Sequence, residues 1–300
     1  MEKELSGKVA IVTGAGRLRG IGRATAVELA KMGANIVVTG TGRNPDSFPE
    51  DEKEAGWKDI ESTAEQIEEF GSEALFMTTD ISKESDVDNL FNETLKKFGR
   101  VDILVNNVYQ VPDDMLEWQP FWKRPLDDHW QAMIDLGLRA HYVASYYAAP
   151  HMIKQAAGMI VNISSPGARC YLHSVIYGVG KAGKDKMTHD MAKELREYNV
   201  AALAIWPGIV KTERLAPAIE ADALPEEYEP LKPGMESPEF PGRIIDAIAK
   251  ADNYMDYSGR SWWNSELGNA LDVQDIDGTQ PMSYAPFMGE PGIPPEAMVK

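Results

Sequence analysis

The chain has 300 residues, enough to bury a large core without a disulfide or metal staple, and its 43% hydrophobic, 26% charged composition excludes a fibrous or wholly disordered protein. Its 30 Lys and Arg against 47 Asp and Glu leave a net charge of −17, which argues against a general nucleic-acid binder and against binding anionic membranes. The single cysteine, Cys170, excludes an intrachain disulfide and a Cys-rich metal site, and it fits a reducing cytoplasm.

The opening Met1-Glu-Lys-Glu-Leu-Ser6 is charged and lacks the apolar run of a secretion signal. No apolar stretch is long enough to predict a membrane span. Lys8–Thr13 reads as a buried strand running into a glycine cluster, and Ile21–Met32 as a helix stopped by Gly33. Strands at 35–39, 74–77 and 101–105 alternate with helices at 60–70 and 84–98. After a loop at 108–127, a long helix is expected over 128–155, then a strand at 159–163, a helix at 175–198, a strand at 200–205, a short helix at 241–250 and a last strand at 260–263. Short, continuously apolar strands between helices predict an α/β fold: one Rossmann-like, doubly wound parallel sheet of about seven strands with helices on both faces. The chain reads as one unit over 1–300. A polar insertion falls at 41–57, and a second insertion, carrying Tyr109, Trp118, Phe121 and Trp122, at 108–127. A lid-like segment at 213–240 is expected to be irregular, and an extension at 264–300 is a candidate to pack on a neighbouring subunit.

Thr13-Gly-Ala-Gly-Arg-Leu-Arg-Gly-Ile-Gly22 lies between the first strand and the first helix. Gly14, Gly20, Ile21 and Gly22 there predict a tight turn whose backbone N–H groups, backed by the helix dipole, receive a dinucleotide pyrophosphate. The second strand runs into Thr39-Gly-Thr-Gly-Arg43 with no acid to bind a ribose 2′-hydroxyl. Arg43, helped by Arg17 and Arg19, is therefore expected to meet a 2′-phosphate, which favours NADP(H) with NAD(H) as the second candidate.

Tyr177 and Lys181 sit at i and i+4 on one helix face, so the ammonium is expected to lie near the phenol and lower its pKa. Such a tyrosine can give or take a proton at a carbonyl oxygen, and Ser165, at the end of a strand, can hold the same oxygen. Asn106, Ser165 and Pro207-Gly208 all follow strands, at the sheet edge where doubly wound folds bind ligands. Tyr109, Trp118, Phe121 and Trp122 are candidates for an aromatic substrate wall, with core anchoring or a subunit contact as the alternative. His173 lies between Ser165 and Tyr177, where it can line the pocket or simply be exposed. No HExxH or His/Cys ligand spacing occurs, so no catalytic metal is expected.

Together these motifs resemble the short-chain dehydrogenase/reductase family over roughly residues 5–263. The resemblance implies catalytic roles for Ser165, Tyr177 and Lys181, with Lys181 also holding the nicotinamide ribose. It places Asp80 and Ile81 beside the adenine, and Pro207, Gly208, Val210 and Thr212 against the nicotinamide. The glycine turn is two residues longer than the family's, Val108-Tyr109 replaces Ala-Gly, and Gly137 stands where the family often has a relay Asn. The long turn, Gly137-Leu-Arg139, Ser164-Ser-Pro-Gly167 and Asp275-Ile-Asp-Gly278 are similar to the dehydrogenase/reductase member 1 type. The resemblance implies an NADPH-linked reductase of bulky aromatic, alicyclic or steroid-like ketones, cytoplasmic and homodimeric or homotetrameric. A double-bond (enoyl) reductase and a non-catalytic dinucleotide-binding regulator are the alternatives.

Overall fold

The computed structural model describes residues 3–297 apart from 116 and 225. The ends of the expected 1–300 unit and one position in each of the loops 108–127 and 213–240 therefore lie outside the described residues. The first half runs β1 (Val9–Val12), α1 (Ile21–Lys31), β2 (Asn35–Gly40), α2 (Glu50–Glu54), α3 (Ile60–Glu69), β3 (Ala74–Thr78), α4 (Glu84–Phe98) and β4 (Ile103–Asn106). It continues as α5 (Leu126–Trp130), α6 (Ala140–Gln155), β5 (Gly158–Ile163), α7 (Val175–Leu195) and β6 (Val200–Trp206). The last elements are α8 (Ala216–Glu220), α9 (Phe240–Lys250), β7 (Ser261–Trp263), α10 (Asn264–Leu271) and α11 (Ala285–Met288).

All seven strands form one parallel sheet in the order β3-β2-β1-β4-β5-β6-β7. Strands β1, β4, β5 and β6 are buried along their whole length, as continuous apolar runs require when helices cover both faces. The strand order reverses between β1 and β4, so their carboxyl ends open the crevice in which such sheets bind ligands.

Two expectations change. The helix expected over 128–155 begins at Leu126 and passes through a π-helical stretch, Gln131–Arg139, before α6. Gly137 lies in that stretch, where a Cβ would stand 3.1 Å from the Ala132 carbonyl oxygen. Wider i→i−5 turns of this kind concentrate at functional sites. The insertion at 41–57 contains α2. The segment 213–240 carries α8 and a 3₁₀ stretch, Glu226–Gly234. Within its own chain the extension also makes contacts: Tyr284 is buried against Trp206 and Trp263, and Arg169 and Lys193 donate to the carbonyls of Pro291 and Pro295.

Helices α1 and α9 cross at Gly242, where a Cβ would lie 2.7 Å from the Thr25 Cα. That neighbour is backbone and cannot turn aside. Gly242→Ala is expected to lower stability by about 1–3 kcal/mol through overpacking, read as an earlier urea-unfolding midpoint.

Candidate active site

The glycine turn is fixed by close backbone approach. A Cβ on Gly22 would fall 2.3 Å from the Gly14 carbonyl oxygen and 2.6 Å from the Asn107 Nδ2, so only glycine fits. Gly14 takes a φ of +71°, where a side chain would be strained. Asn107 ties the end of β4 to this turn, its Nδ2 donating to the carbonyls of Thr13 and Gly14, both at 3.0 Å. Helix α1 starts after Gly20 with no side-chain cap and no acid in its first turn. Its amino-terminal N–H groups and positive dipole end are thus left for an anion, which is what a pyrophosphate needs.

Asn106, expected at the cofactor, is completely buried beneath the site. Its Nδ2 donates to Asn162 Oδ1 at 2.9 Å and Ser145 Oγ at 3.0 Å. Successive strand residues face opposite ways, and that alternation was the signal that Asn107 would reach the turn. Ile81 is buried. Asp80 accepts from the Ser82 hydroxyl at 2.6 Å and its backbone N–H at 3.2 Å, and it pairs with Lys83. The Ser82 hydroxyl bond is the main reason its carboxyl sits below the usual range.

The three arginines expected to meet a 2′-phosphate are all paired with acids. Arg17 pairs with Glu213 at 3.3 Å, and Arg19 with Asp51 at 3.0 Å and with Glu220. Arg43 holds Glu52 at 2.8 Å and Asp59 at 3.0 Å, donates to the Gly16 carbonyl at 2.8 Å and stacks on Phe48. An acid does stand beside the turn, supplied by the chain beyond the insertion.

On the other side of the crevice, Tyr177 donates to Ser165 Oγ at 2.7 Å, and the same oxygen accepts from the Gly167 N–H at 3.1 Å. Ser174 caps α7 by accepting from the Tyr177 N–H at 3.2 Å. Gly167 lets the Tyr177 ring lie flat, since a Cβ there would be 2.3 Å from the ring. Lys181 Nζ stands 4.9 Å from the centre of the Tyr109 ring and 5.5 Å from that of Tyr177, a cation held between two aromatic faces. The expected lowering of the phenol is not what this arrangement gives. Burial dominates, pushing Tyr177 up to about 12 against the opposing Ser165 bond, and Lys181 down to about 8 against the pull of Asp185.

His173 sets its edge on the Tyr177 ring at 4.9 Å, and burial holds it below the usual histidine value, so it lines the site and is not simply exposed. Tyr109 also meets Tyr177 edge-on. Trp118, Phe121 and Trp122 are 79%, 62% and 71% exposed, which excludes core anchoring and leaves a substrate wall or a subunit contact. Their loop is held by residues the sequence reading missed. Buried Arg124 donates to the carbonyls of Asp114, Glu117 and His173, and His129 Nε2 bonds Asp114 Oδ1 at 2.7 Å. Among the described residues, no cluster of His, Cys, Asp or Glu is placed to hold a metal.

Behind the loop after β6 lies another unforeseen group. Glu236 is buried, accepts from the Gly208 N–H at 2.8 Å and from Asn264 Nδ2 at 3.0 Å, and pairs through its backbone with Val210. Tyr284 leaves room only for glycine at 208. Pro207 precedes this braced turn, and the Thr212 carbonyl accepts from Leu215 and Ala216 as the chain enters α8.

The chain matches the short chain dehydrogenase family profile over residues 8–223. It is 34% identical, over 95% of its length and 88% of theirs, to Dehydrogenase/reductase SDR family member 1 of Mus musculus and of Homo sapiens. It is 34% identical, over 70% of its length and 76% of the relative, to a 3-oxoacyl-[acyl-carrier-protein] reductase of a Synechocystis species. A short-chain type dehydrogenase/reductase structure from Mycobacterium marinum superposes with a TM-score of 0.71 at 23% identity, covering 87% of this chain and 95% of that one.

Burial raises Glu236 to about 8, so the folded protein keeps a proton there that an unfolded chain gives up above about 4.5. The stability this supplies is complete below that lower value and is lost as pH rises through about 8. The melting temperature of the native protein is expected to fall more steeply than that of Glu236→Gln across this range, while Glu236→Ala, which strands two donors, should cost about 1–3 kcal/mol at any pH.

Proposed function

The chain belongs to the short-chain dehydrogenase/reductase family and is an oxidoreductase, and we propose that it interconverts a ketone and a secondary alcohol, acting on bulky apolar carbonyl compounds. The observation that carries this is the Tyr177 hydroxyl bonded to Ser165 with Lys181 buried over the Tyr177 ring. The glycine turn, the uncapped start of α1 and the braced turn at Gly208 are the features that would hold a nicotinamide dinucleotide, NAD(H) or NADP(H). When bound, that cofactor supplies or accepts the hydride at the carbonyl carbon.

The protein's part is the proton and the geometry. Ser165 Oγ fixes the substrate oxygen, and the Tyr177 hydroxyl delivers its proton to that oxygen in reduction and recovers it in oxidation. Lys181 places positive charge beside the phenolate that forms when Tyr177 gives up its proton, in a buried site where such a charge acts strongly. Tyr109 and His173 wall the tyrosine from water, and the rim of Trp118, Phe121, Trp122 and Tyr171 offers apolar and aromatic surface to a bulky ketone. The acids of 213–240 disfavour strongly anionic substrates.

No helix among the described residues is long and apolar enough to cross a membrane. A cytoplasmic homodimer or homotetramer completes the proposal, supported by the exposed Tyr142, Tyr146, Val175 and Val179 on α6 and α7.

Purified protein is expected to oxidise NADH or NADPH with aromatic and alicyclic ketones. Tyr177→Phe should lower kcat by roughly a thousandfold, within the range of lost acid catalysis, with dinucleotide binding kept. Cofactor binding without turnover on any ketone would favour the non-catalytic alternative.

A further inference from the structure

We propose that Asp59 reads the adenosine ribose of the cofactor and sets a preference for NAD(H) over NADP(H). This rests on the dinucleotide-dependent activity proposed above and names which dinucleotide serves it. In a doubly wound fold an acid at the end of the second strand accepts the ribose 2′-hydroxyl and repels a 2′-phosphate. Strand β2 ends at Gly40 and offers no such acid. The chain then leaves the sheet through the insertion and α2, and returns at the start of α3 with Asp59 beside that strand end. The Asp59 Oδ2 lies 3.6 Å from where a Cβ on Gly40 would stand, and its Oδ1 lies 1.9 Å from where one on Gly16 would stand. The carboxylate therefore occupies the corner between the glycine turn and β2, open only because both positions are glycine.

The placement is held at a conformational cost. Asp59 takes φ 59° and ψ −132°, outside the regions favoured by L residues, and backbone outliers of this kind cluster at ligand sites. Arg43 fixes the carboxylate with its backbone N–H at 3.2 Å and its Nε at 3.0 Å. The insertion is stitched to the turn on all sides: Trp57 Nε1 and Arg43 donate to the Gly16 carbonyl, and the Leu18 N–H donates to Glu52. Asp59 and Arg43 both line a cavity of about 610 Å³ at the carboxyl ends of β2 and β3, so the pair is not sealed from a ligand.

Charge decides between the two cofactors. Glu52 and Asp59 together outweigh Arg43 by one negative charge. A 2′-phosphate, close to dianionic, would face the Asp59 carboxylate with the buried charge of Glu52 behind Arg43, and Arg43 could reach it only by giving up its two partners. A 2′-hydroxyl needs only a lone pair, which Asp59 has. Arg17 and Arg19 are already paired with acids, and Lys58 is drawn to Glu61 and Glu65. Lys53 lines the same cavity and is the competing cation.

The test is calorimetric titration of the purified protein with NADH and NADPH, without substrate. NADH is expected to bind at least about tenfold tighter, the scale of one hydrogen bond to a charged group. Asp59→Asn should weaken NADH by about that factor and strengthen NADPH, and Glu52→Gln should also move the ratio toward NADPH. If Asp59→Asn does not fold, the unmodified protein titrated with adenosine 5′-monophosphate and with adenosine 2′,5′-bisphosphate decides the matter, the monophosphate binding tighter. Equal binding, or NADPH the tighter with that preference lost in Arg43→Ala or Lys53→Ala, would overturn the assignment and leave the oxidoreductase reading standing. Binding of neither dinucleotide would overturn both.

Discussion

The structure depends on one close approach, the passage of Gly22 beneath the Gly14 carbonyl. It brings α1 up against the end of β1 so that the first N–H groups of the helix point into the crevice. Asn107 fills the space the two glycines leave and joins that turn to β4, the strand across the switch point. The insertion then docks on the same turn through Gly16. A side chain at any of these glycines would push these elements apart, and the crevice would lose its floor.

On the far side of the crevice, burial governs the chemistry. Lys181 and Tyr177 are both withdrawn from water, and each is driven toward its neutral form. With Lys181 at about 8 and Tyr177 at about 12, the pocket holds an ammonium beside a neutral phenol at neutral pH, and that buried positive charge is offset only when something negative forms on the substrate oxygen or the phenol. The ring of Tyr109, in the place of a family Gly, contributes to this by covering the ammonium with an aromatic face. That substitution makes the pocket drier than a glycine there would.

The seven strands, their order of appearance and the Ser165–Tyr177–Lys181 set were legible in the sequence, because apolar runs of strand length and i, i+4 spacing are local signals. The π-helical stretch around Gly137 was not, since it shows only as a helix whose hydrogen bonds are one residue wider. Asn106 and Asn107 were legible as a pair but not as a division of labour, which needed the strand's register. The ion pairs of Arg43 were not legible for a long-range reason. Its partners Glu52 and Asp59 come from the insertion's helix and from the start of α3, and no spacing rule says which acid a loop will carry back to a strand end. Glu236 and Tyr284 escaped notice because a buried carboxylate and a late tyrosine acquire meaning only from the loop they support.

The support of Gly208 by Tyr284 has a bearing on how the protein is made. The residues that carry the glycine turn, the catalytic tyrosine and the loop after β6 all leave the ribosome before Tyr284 does. Until then Trp206 and Trp263 lack the ring that covers them, and the turn at Gly208 lacks the wall that holds it to one conformation. The nascent chain therefore passes through an interval in which the sheet is complete and the side of the crevice formed by the loop after β6 is not.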